Sequence, residues 1–234
     1  MLKTPVMLTI WTDIAPQDRD ECDRWYIEKH IAERMGVPGW LRARRFTAAT
    51  PDTNPQTLAL YEIASVEDLL SDHYLSLQRN VDAQDQRMRA AFRNVARASL
   101  LLTHSIGPGD GGVLVSARFC APQDAHDRAC ARKLLVESVM PRLASMTGVT
   151  GVHLLTASQE LRARQDLHRK SGADDAPVDW VLLLEATEED RADAACHQLL
   201  EDKNAAEVGL GDAVTGTYRL MYAATNTASI GQGI

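Results

Sequence analysis

The sequence predicts an α+β fold in which two ferredoxin-like βαββαβ repeats follow one another and pack sheet on sheet. A glycine-rich stretch at residues 107–112 lies close to the midpoint of the 234-residue chain. The residues Ala15-Pro16-Gln17-Asp18 recur unchanged at positions 121–124, and segments typical of strands and helices follow in the same order on both sides of that stretch. An antiparallel sheet with helices on one face has a second face to bury, and a stacked copy would bury it.

In the first half, alternating apolar residues predict strands, and polar stretches bounded by Pro or Gly predict helices. Ser65 is the predicted N-cap of a helix because the acidic residues Glu67 and Asp68 follow in its first turn. The predicted order is a strand at 6–14, a helix from Pro16 to about Met35, strands at 40–48 and 58–63, a helix starting near Ser65, a basic helix at about 82–98 and a strand at 99–106.

The second half repeats this order. Its predicted elements are a strand at 112–120, a helix ending near Met146, strands at 152–157 and 180–186, a helix opened by Thr187 and a strand at 217–223. Two further matches support a duplication: Gly36-Val37-Pro38-Gly39 with Gly148-Val149-Thr150-Gly151, and Glu67-Asp68 with Glu189-Asp190. We therefore divide the chain into a first repeat at 1–106, a linker at 107–112 and a second repeat at 113–234.

The composition excludes several classes of protein. Hydrophobic residues make up 45% of the chain and charged residues 24%, which is ordinary for a soluble globular protein. The 25 Lys and Arg residues and 32 Asp and Glu residues give a formal net charge of −7. Because no basic stripe could neutralise a phosphate backbone or an anionic bilayer, we expect neither nucleic acid nor membrane as a partner. The lack of an apolar signal core after Met1 favours a cytoplasmic location.

Motifs for metal, nucleotide and hydrolytic sites are missing. The four cysteines, at positions 22, 120, 130 and 196, show no Cys-x-x-Cys spacing, which disfavours a zinc site and a disulfide framework. The sequence has no Gly-x-Gly-x-x-Gly, no phosphate loop, no His-Glu-x-x-His and no Gly-x-Ser-x-Gly. These patterns carry dinucleotide binding, nucleotide binding, zinc proteolysis and serine hydrolysis. We therefore expect neither a metal nor a cofactor.

The pair Tyr26 and His30 is the main candidate for chemistry. The two residues lie four positions apart in the first predicted helix, so they share one helix face. A partly enclosed imidazole with a pKa of about 6.5 can take up and return a proton near neutral pH. A neighbouring phenol can orient that imidazole or donate to a developing oxyanion. The alternative is that His30 is a structural residue packed in an amphipathic helix.

The run Trp25-Tyr26-x-x-x-His30-Ile31, followed by residues 36–46 with the sequence GVPGWLRARRF, resembles the dimeric α+β-barrel superfamily. It is similar in particular to the EthD-like group of that superfamily, and His30 followed by a Pro-Gly turn also resembles methylmuconolactone isomerases. The resemblance covers about residues 6–75 and is only topological beyond them.

This resemblance implies an intramolecular dimeric α+β barrel with a ligand cavity between one sheet and its helices. The superfamily includes cofactor-free isomerases, polyketide cyclases, small monooxygenases and haem enzymes. His30 would be the catalytic or ligand-contacting histidine of the motif. The corresponding helix of the second half, at residues 133–141, has neither His nor an aromatic residue, so we expect a degenerate site there.

Further residues are candidates for binding the substrate, although strand alternation leaves open whether they face a cavity or the interface between sheets. Trp40 and Arg44 share a predicted strand face with Arg42 and Phe46, where the arginines would bind a carboxylate or phenolate ligand or pair with acids of the other repeat. The substrate-binding candidates are Trp11, Asp13, Trp40, Arg44, Tyr61, His73, Tyr74 and His104.

These observations together predict a cofactor-free lyase or isomerase that moves protons on a small, apolar aromatic or polyketide-like molecule. The reaction would be an isomerisation, an elimination or dehydration, or a cyclisation, with His30 as base and acid and Tyr26 as its partner or as oxyanion donor. One alternative is a haem enzyme with His153 or His168 as axial ligand. Another is a non-catalytic small-molecule binding protein. The chain would be its own pseudo-dimer, and a homodimer of this unit is left open.

Overall fold

Eight antiparallel strands close into a barrel in the computed structural model of the protein, which describes residues 6–166 and 178–226. The order around the barrel is β1-β3-β2-β8-β5-β7-β6-β4. The strands are β1 (Val6–Ile14), β2 (Trp40–Ala48), β3 (Thr57–Ile63), β4 (Phe92–Ile106), β5 (Val113–Phe119), β6 (Val149–Thr156), β7 (Trp180–Ala186) and β8 (Val214–Thr225).

Helices pack on the outside of the barrel. The first helical segment of each half is interrupted by one π turn, Tyr26–His30 in the first half and Leu135–Val139 in the second. The helices are α1 (Arg19–Trp25), α2 (Ile31–Met35), α3 (Val66–Leu69), α4 (Asp72–Arg79), α5 (Ala83–Ala90), α6 (Ala125–Leu134), α7 (Met140–Ala144), α8 (Gln159–Asp166), α9 (Glu189–Glu201) and α10 (Lys203–Glu207). None of the helices in the described ranges is both long and apolar enough to cross a bilayer.

The two halves contribute four neighbouring strands each, in the same order. The first half reads β4-β1-β3-β2 across its sheet, and the second half reads β8-β5-β7-β6. The two sheets are joined along both edges, because β2 pairs with β8 and β4 pairs with β6. A closed barrel leaves no unpaired strand edge. The predicted burial of one sheet face by the other is therefore accompanied by continuous hydrogen bonding around the barrel.

Strand alternation separates the barrel interior from the two helix-covered cores. On β1, Met7 and Trp11 belong to an apolar cluster that draws on both halves, whereas Val6 and Leu8 pack with the helices of the first half. A third cluster lies between the second sheet and its helices. Since successive side chains of a strand point to opposite faces, each sheet serves one core inside the barrel and another outside it.

The sequence prediction places one element boundary wrongly. The basic helix predicted at 82–98 ends at Ala90, and β4 starts at Phe92 because residues 92–101 pair along most of β1. That ladder outweighs the helix propensity of the Ala- and Arg-rich segment.

The glycine match between the halves is displaced by three residues. Gly39 and Gly148 have φ of 80° and 85°, and their carbonyls accept matching bonds from Ala64 N–H and Thr187 N–H at 2.8 and 2.9 Å. Gly39 therefore corresponds to Gly148, because both turns need a residue that tolerates positive φ. The same bonds make Ala64 equivalent to Thr187. Glu67 is then equivalent to Asp190, one position away from the predicted match with Glu189.

Candidate active site

A cavity of about 570 Å³ lies between the outer face of the first sheet, the π turn Tyr26–His30 and the helices α2 to α5. Volumes of this size are typical of sites for small organic ligands. The apolar part of its wall includes Leu8, Ile10 and Leu69. The aromatic residues and the histidine that line it are Tyr26, His30, Trp40, Tyr61, Tyr74 and Phe92. The structure thus brings together five of the residues that the sequence identified as candidates.

The π turn between α1 and α2 places Tyr26 and His30 in the wall of this cavity. The N–H of Ile31 donates to the carbonyl of Tyr26, five residues earlier. A π turn inserts one residue into the helix and changes the direction in which the following side chains point. Both Tyr26 and His30 are buried there. The sequence predicted their shared face, but it contained no sign of the π turn that orients them.

The His30 ring is enclosed by aromatic side chains. Its centroid lies 4.3 Å from that of Trp25, 4.9 Å from that of Tyr26 and 6.4 Å from that of Tyr61. Its Nδ1 is buried and makes no hydrogen bond with the described residues. A buried ring nitrogen without a partner costs free energy unless a ligand or water supplies one. His30 therefore has an unused hydrogen-bonding position inside a ligand-sized cavity.

Burial and neighbouring positive charges lower the pKa of His30 well below its ordinary value. Burial is the largest cause, followed by the positive charge of Arg34, with smaller effects from Arg89, Arg45 and Lys29. Both causes disfavour the imidazolium. His30 is consequently neutral at neutral pH, so it is able to accept a proton.

Two further polar atoms of the cavity residues are buried without partners, the hydroxyl of Tyr61 and the Nε1 of Trp40. The centroids of these two rings lie 5.4 Å apart. Burial raises the pKa of Tyr61 far above its ordinary value, so the phenol keeps its proton and remains a donor. An indole N–H is always a donor. His30, Tyr61 and Trp40 thus provide one acceptor and two donors within one aromatic enclosure.

Tyr26 interacts with an arginine. No hydrogen bond joins it to His30; the guanidinium of Arg45 lies 3.6 Å from the centroid of the Tyr26 ring. Arg45 is buried and donates from Nη2 to Asp23 Oδ1 at 2.6 Å. Burial raises the pKa of Tyr26, which keeps this phenol neutral. The stack of Arg45 on Tyr26 is a cation–π contact, and no pattern in the sequence indicated it.

Tyr74 closes the opposite side of the cavity and is held by polar contacts. Its ring centroid lies 4.4 Å from that of Trp40. Its hydroxyl accepts hydrogen bonds from Gln78 Nε2 at 2.6 Å and from Arg97 Nη2 at 3.2 Å. Tyr74, predicted as a substrate-binding residue, therefore lies in the cavity wall and orients Arg97.

Trp11 and Arg44, two other predicted binding residues, lie inside the barrel and away from the cavity. Trp11 donates from Nε1 to Ser116 Oγ at 3.2 Å, and Arg44 donates from Nη1 to Glu185 Oε1 at 2.6 Å. The predicted alternative of pairing with an acid of the other repeat is confirmed for Arg44. The register shifts between Trp40 and Arg42. After such a bulge, each side chain lies on the face opposite to the one it would occupy in a regular strand. Trp40 and Arg44 therefore do not share a face.

The remaining three predicted binding residues also lie outside the cavity lining. Asp13 is at the end of β1, where it accepts from the N–H of Gln56 at 2.6 Å and from Asn94 Nδ2 at 2.7 Å. His73 is exposed on α4. His104 lies opposite Leu154 where β4 pairs with β6. Their placement follows from strand pairing and helix rotation, which alternation along the sequence does not determine.

Four arginines that the sequence analysis did not select line the cavity. They are Arg34 on α2, Arg79 on α4, Arg89 on α5 and Arg97 on β4. No Asp or Glu is among the lining residues. These arginines are spread over four elements, so neither motif spacing nor local charge density along the sequence could have identified them.

At the equivalent positions, the second half has aliphatic residues. Leu135 and Val139 occupy the positions of Tyr26 and His30 in the second π turn, and Leu184 occupies the position of Tyr61 in β7. All three belong to the apolar core between the second sheet and its helices. These aliphatic side chains leave that half without an equivalent set of polar and aromatic groups.

Within the described residues, neither His153 nor His30 fits the axial ligation of a haem. No group of three or more His, Cys, Asp or Glu residues within the described ranges is arranged to hold a metal ion. His153, one predicted axial ligand, is buried, and its Nδ1 lies 2.7 Å from Ser105 Oγ. Its Nε2 packs so closely against Gly151 that a Cβ added there would lie 2.7 Å away. A porphyrin therefore has no room beside this nitrogen. His30 lacks the acceptor at Nδ1 that usually orients a metal-bound histidine. The other candidate, His168, lies outside the described residues.

Comparison with known proteins identifies the fold. No family model matches the chain, and no curated protein matches it. Among solved structures, an anthrone oxidase-like protein superposes with a TM-score of 0.63 at 13% identity, covering 98% of this chain and 96% of the other. A proposed monooxygenase from Fusobacterium nucleatum subsp. nucleatum gives a TM-score of 0.55 at 12% identity and covers 95% of both chains.

A haem-binding protein from Thermus thermophilus gives a TM-score of 0.57 at 12% identity, with 93% of this chain and 91% of the other covered. These proteins are of the dimeric α+β-barrel type. The shared architecture extends over nearly the whole chain, whereas the sequences have diverged too far to carry a function with it. The chain therefore has the dimeric α+β-barrel fold, formed within a single polypeptide.

Proposed function

We propose that this protein is a cofactor-free enzyme that removes a proton from a small aromatic or polyketide-like carbon acid, with His30 as the base. One observation carries the proposal: His30 is a neutral, buried imidazole with an unpartnered nitrogen in a ligand-sized aromatic cavity. Proton transfer needs a base of this kind within reach of the substrate. The resemblance of the Trp25-Tyr26-x-x-x-His30 run to the EthD-like group supports the same assignment.

The first step follows from the groups around the cavity. The neutral His30 takes a proton from a C–H bond next to a substrate carbonyl, and the electron pair of that bond moves toward the carbonyl oxygen. The Tyr61 hydroxyl and the Trp40 N–H donate hydrogen bonds to the resulting enolate oxygen. Donors that are already in place where negative charge develops lower the barrier more than donors that must reorganise.

The cationic surroundings of His30 act on the two products of this step in opposite ways. The positive charges of Arg34 and Arg89 disfavour the imidazolium, and they favour the enolate that forms beside it. The enolate and the imidazolium form together, so their mutual attraction offsets part of the cost of protonating His30. The same imidazolium can return the proton to another carbon in an isomerisation or to a leaving oxygen in a dehydration.

Tyr26 is best assigned as a positioning residue. Its ring packs between His30 and the guanidinium of Arg45, and the buried contact with Arg45 fixes the angle of the ring. In this assignment Tyr26 does not transfer a proton itself but helps to orient the imidazole of His30.

We propose one active site per chain, because the second half has the aliphatic residues Leu135 and Val139 at the positions of Tyr26 and His30.

An oxygenase is a second candidate. An anthrone oxidase-like protein shares the fold over 98% of this chain, and by analogy with it the carbanion would react with molecular oxygen instead of being reprotonated. The balanced reaction would be R₂CH₂ + O₂ → R₂C=O + H₂O, in which the methylene carbon is oxidised and O₂ is the four-electron acceptor. Deprotonation by His30 is the first step of both candidates, so one variant tests both.

The experiment measures proton exchange directly. Anthrone and a panel of related carbon acids are incubated with the protein in deuterated buffer, and deuterium incorporation is followed by mass spectrometry while an electrode records oxygen uptake. His30→Ala should slow the catalysed exchange by about 10² to 10⁴-fold. Oxygen uptake in step with product formation would identify the oxygenase, and exchange without uptake would identify the isomerase or lyase.

A matched histidine variant serves as control. His197 is exposed on α9 in the second half, and His197→Ala should exchange at the rate of the native protein. Circular dichroism of both variants checks that the fold is kept. Exchange by His30→Ala at the native rate would exclude His30 as the base. Ligand binding without exchange on any member of the panel would instead identify a non-catalytic binding protein.

A further inference from the structure

The cavity around His30 has a charge opposite to that of the protein as a whole. The chain carries a formal net charge of −7, yet four arginines and no carboxylate line the cavity. Arg34 is buried, Arg89 and Arg97 are half-buried and Arg79 is exposed. Because like charges at a partly enclosed site repel one another, this cluster is costly unless a ligand of opposite charge enters the cavity. A neutral carbon acid alone would not require this arrangement.

Three of these arginines have no carboxylate partner of their own. Within residues 6–166 and 178–226, Arg79, Arg89 and Arg97 form no ion pair. Arg97 donates to the neutral Tyr74 hydroxyl at 3.2 Å. Burial and the charge of Arg34 lower the pKa of Arg89, and the charges of Asp85 and Glu33 only partly oppose this. Their positive charge is therefore available to a ligand.

Arg34 lies next to the base. It is buried, with a relative exposure of 5%, and its Nη1 donates to the carbonyl of His30 at 3.2 Å and to Glu33 Oε2 at 3.0 Å. These bonds hold the guanidinium at the His30 end of the cavity. Arg89 on α5 and Arg97 on β4 also line the cavity. A ligand anion bound by them would leave the rest of the ligand among the aromatic residues.

We propose that the substrate is an aromatic anion whose carboxylate or phenolate is bound by Arg89 and Arg97 while its acidic carbon faces His30. The walls formed by Trp40, Tyr61 and Tyr74 suit a planar ring, since aromatic rings pack edge to face or offset on one another. A guanidinium binds a carboxylate or phenolate oxygen through charge-assisted hydrogen bonds. This inference rests on the proposed function, because it names the substrate class of the same cavity.

Binding of two probes of nearly equal shape tests the proposal. 2-Naphthoate is an anion at neutral pH, and 2-naphthamide is its neutral counterpart. Titration calorimetry at low ionic strength should give a dissociation constant about tenfold lower for the naphthoate. Arg89→Gln and Arg97→Gln should each weaken naphthoate binding by about tenfold and change naphthamide binding by less than about twofold.

An exposed arginine provides the control. Arg24 lies on the outer face of α1 and does not line the cavity, so Arg24→Gln should bind both probes like the native protein. The proposal is overturned if the two probes bind equally, if the arginine variants weaken both alike, or if neither probe binds up to about 1 mM. If the preference depended only on net charge, Arg24→Gln would weaken naphthoate binding as much as Arg89→Gln does, and this too would overturn the proposal.

The same measurements separate this inference from the proposed function. His30→Ala should retain the preference for naphthoate, because the arginines bind the anion and His30 removes the proton. If the preference is present but deuterium exchange does not depend on His30, only the catalytic assignment fails. If exchange depends on His30 while the two probes bind equally, only the substrate class fails.

Discussion

At the scale of single residues, the protonation state of His30 decides what the cavity can do. A surface histidine divides between its two forms near neutral pH, but burial and nearby arginines keep His30 unprotonated. A neutral imidazole accepts a proton, whereas an imidazolium could only donate one. The consequence is that His30 starts the reaction as a base and becomes an acid only after the substrate has been deprotonated.

The pH dependence of catalysis tests this state. The free enzyme needs neutral His30, so kcat/KM should fall on the acid side as the pH drops through the lowered pKa of this residue. We expect this acid limb to lie below the ordinary histidine value of about 6.5, and the rate to be flat through neutral pH. Arg89→Gln removes one neighbouring cation and should move the limb to higher pH. The deuterium exchange assay at a series of pH values measures both.

Two outcomes would contradict this prediction. An acid limb at or above the ordinary histidine value would mean that the imidazole is not desolvated in the working enzyme. A limb that stays in place in Arg89→Gln would mean that the arginine does not act on His30. His197→Ala again provides the control, because this exposed residue is on α9, in the other half of the chain.

The sequence identified only part of this residue set. Tyr26 and His30 were found because they are adjacent on one helix, and Trp40 and Tyr61 because their strands were predicted correctly. The helix predicted from Ser65 is divided into α3 and α4, and Tyr74 lies on α4. The lining arginines were missed, since four separate elements bring them together only after folding. Local patterns report which residues share a face, but they do not report which faces of distant elements meet.

At the scale of elements, one carboxylate ties α5 to the helix that carries His30. Asp85 accepts from Trp25 Nε1 at 2.9 Å and from Lys29 Nζ at 2.9 Å. It also forms a capping box with Asp82 at the start of α5. Trp25 packs directly on the His30 ring, so Asp85 is a positioning residue for the base. Three different types of interaction converge on this one side chain.

Removing this carboxylate should destabilise the protein. Asp85→Ala leaves the buried Trp25 N–H without an acceptor and removes the capping box and the ion pair with Lys29. We expect the free energy of unfolding to fall by about 2 kcal/mol, measured by urea denaturation. Asp85→Asn keeps an acceptor for Trp25 and should cost about half as much.

An exposed ion pair gives the comparison for this prediction. Glu137 pairs with Lys133 at 3.9 Å on the surface, where the two side chains are 64% and 72% exposed. Glu137→Ala should change the free energy of unfolding by less than about 0.5 kcal/mol. An equal cost for Asp85→Ala and Glu137→Ala would show that the contacts of Asp85 do not hold the two helices together.

The elements also show where sequence patterns were insufficient. The end of α5 and the start of β4 were misplaced because helix propensity along residues 91–98 conflicts with pairing to β1. The bulge near Trp40 and the π turn at Tyr26–His30 were not predicted. Both are one-residue irregularities, and both change which side chains face the cavity.

At the scale of the whole molecule, the two halves share one barrel and therefore one interior. The duplication was predicted from the repeated Ala-Pro-Gln-Asp, the linker and the order of elements. Each half contributes four neighbouring strands in the same order, and the duplication itself stays a prediction. A barrel within one chain was expected from the resemblance, and pairing of Arg44 with an acid of the other half was one of the expected alternatives. Which residues meet was not predicted, because these contacts join residues more than a hundred positions apart, such as Trp11 with Ser116.

Arg44 is the main charged link between the halves inside the barrel. It donates to Glu185 of β7 at 2.6 Å and lies 3.7 Å from Glu62 of β3. All three side chains are buried. Burial raises the pKa of Glu62, and the charge of Arg44 opposes this rise. The arginine thus compensates two carboxylates that belong to different halves of the chain.

Arg44→Met should uncouple this cluster and destabilise both halves together. The methionine keeps most of the volume but leaves the buried Glu185 without its cation and Glu62 with only Arg42, at 3.8 Å. Breaking such a buried pair costs about 3 to 5 kcal/mol. The deficit should shrink as the pH falls, because the pKa of Glu62 would rise further and protonation would then relieve the repulsion. Adding Glu185→Gln to Arg44→Met should recover part of the loss. Urea unfolding followed by both tryptophan fluorescence and circular dichroism should show one transition, shifted equally for both signals. Separate transitions, or a loss below about 1 kcal/mol, would mean that each half is stable without the charged link across the barrel.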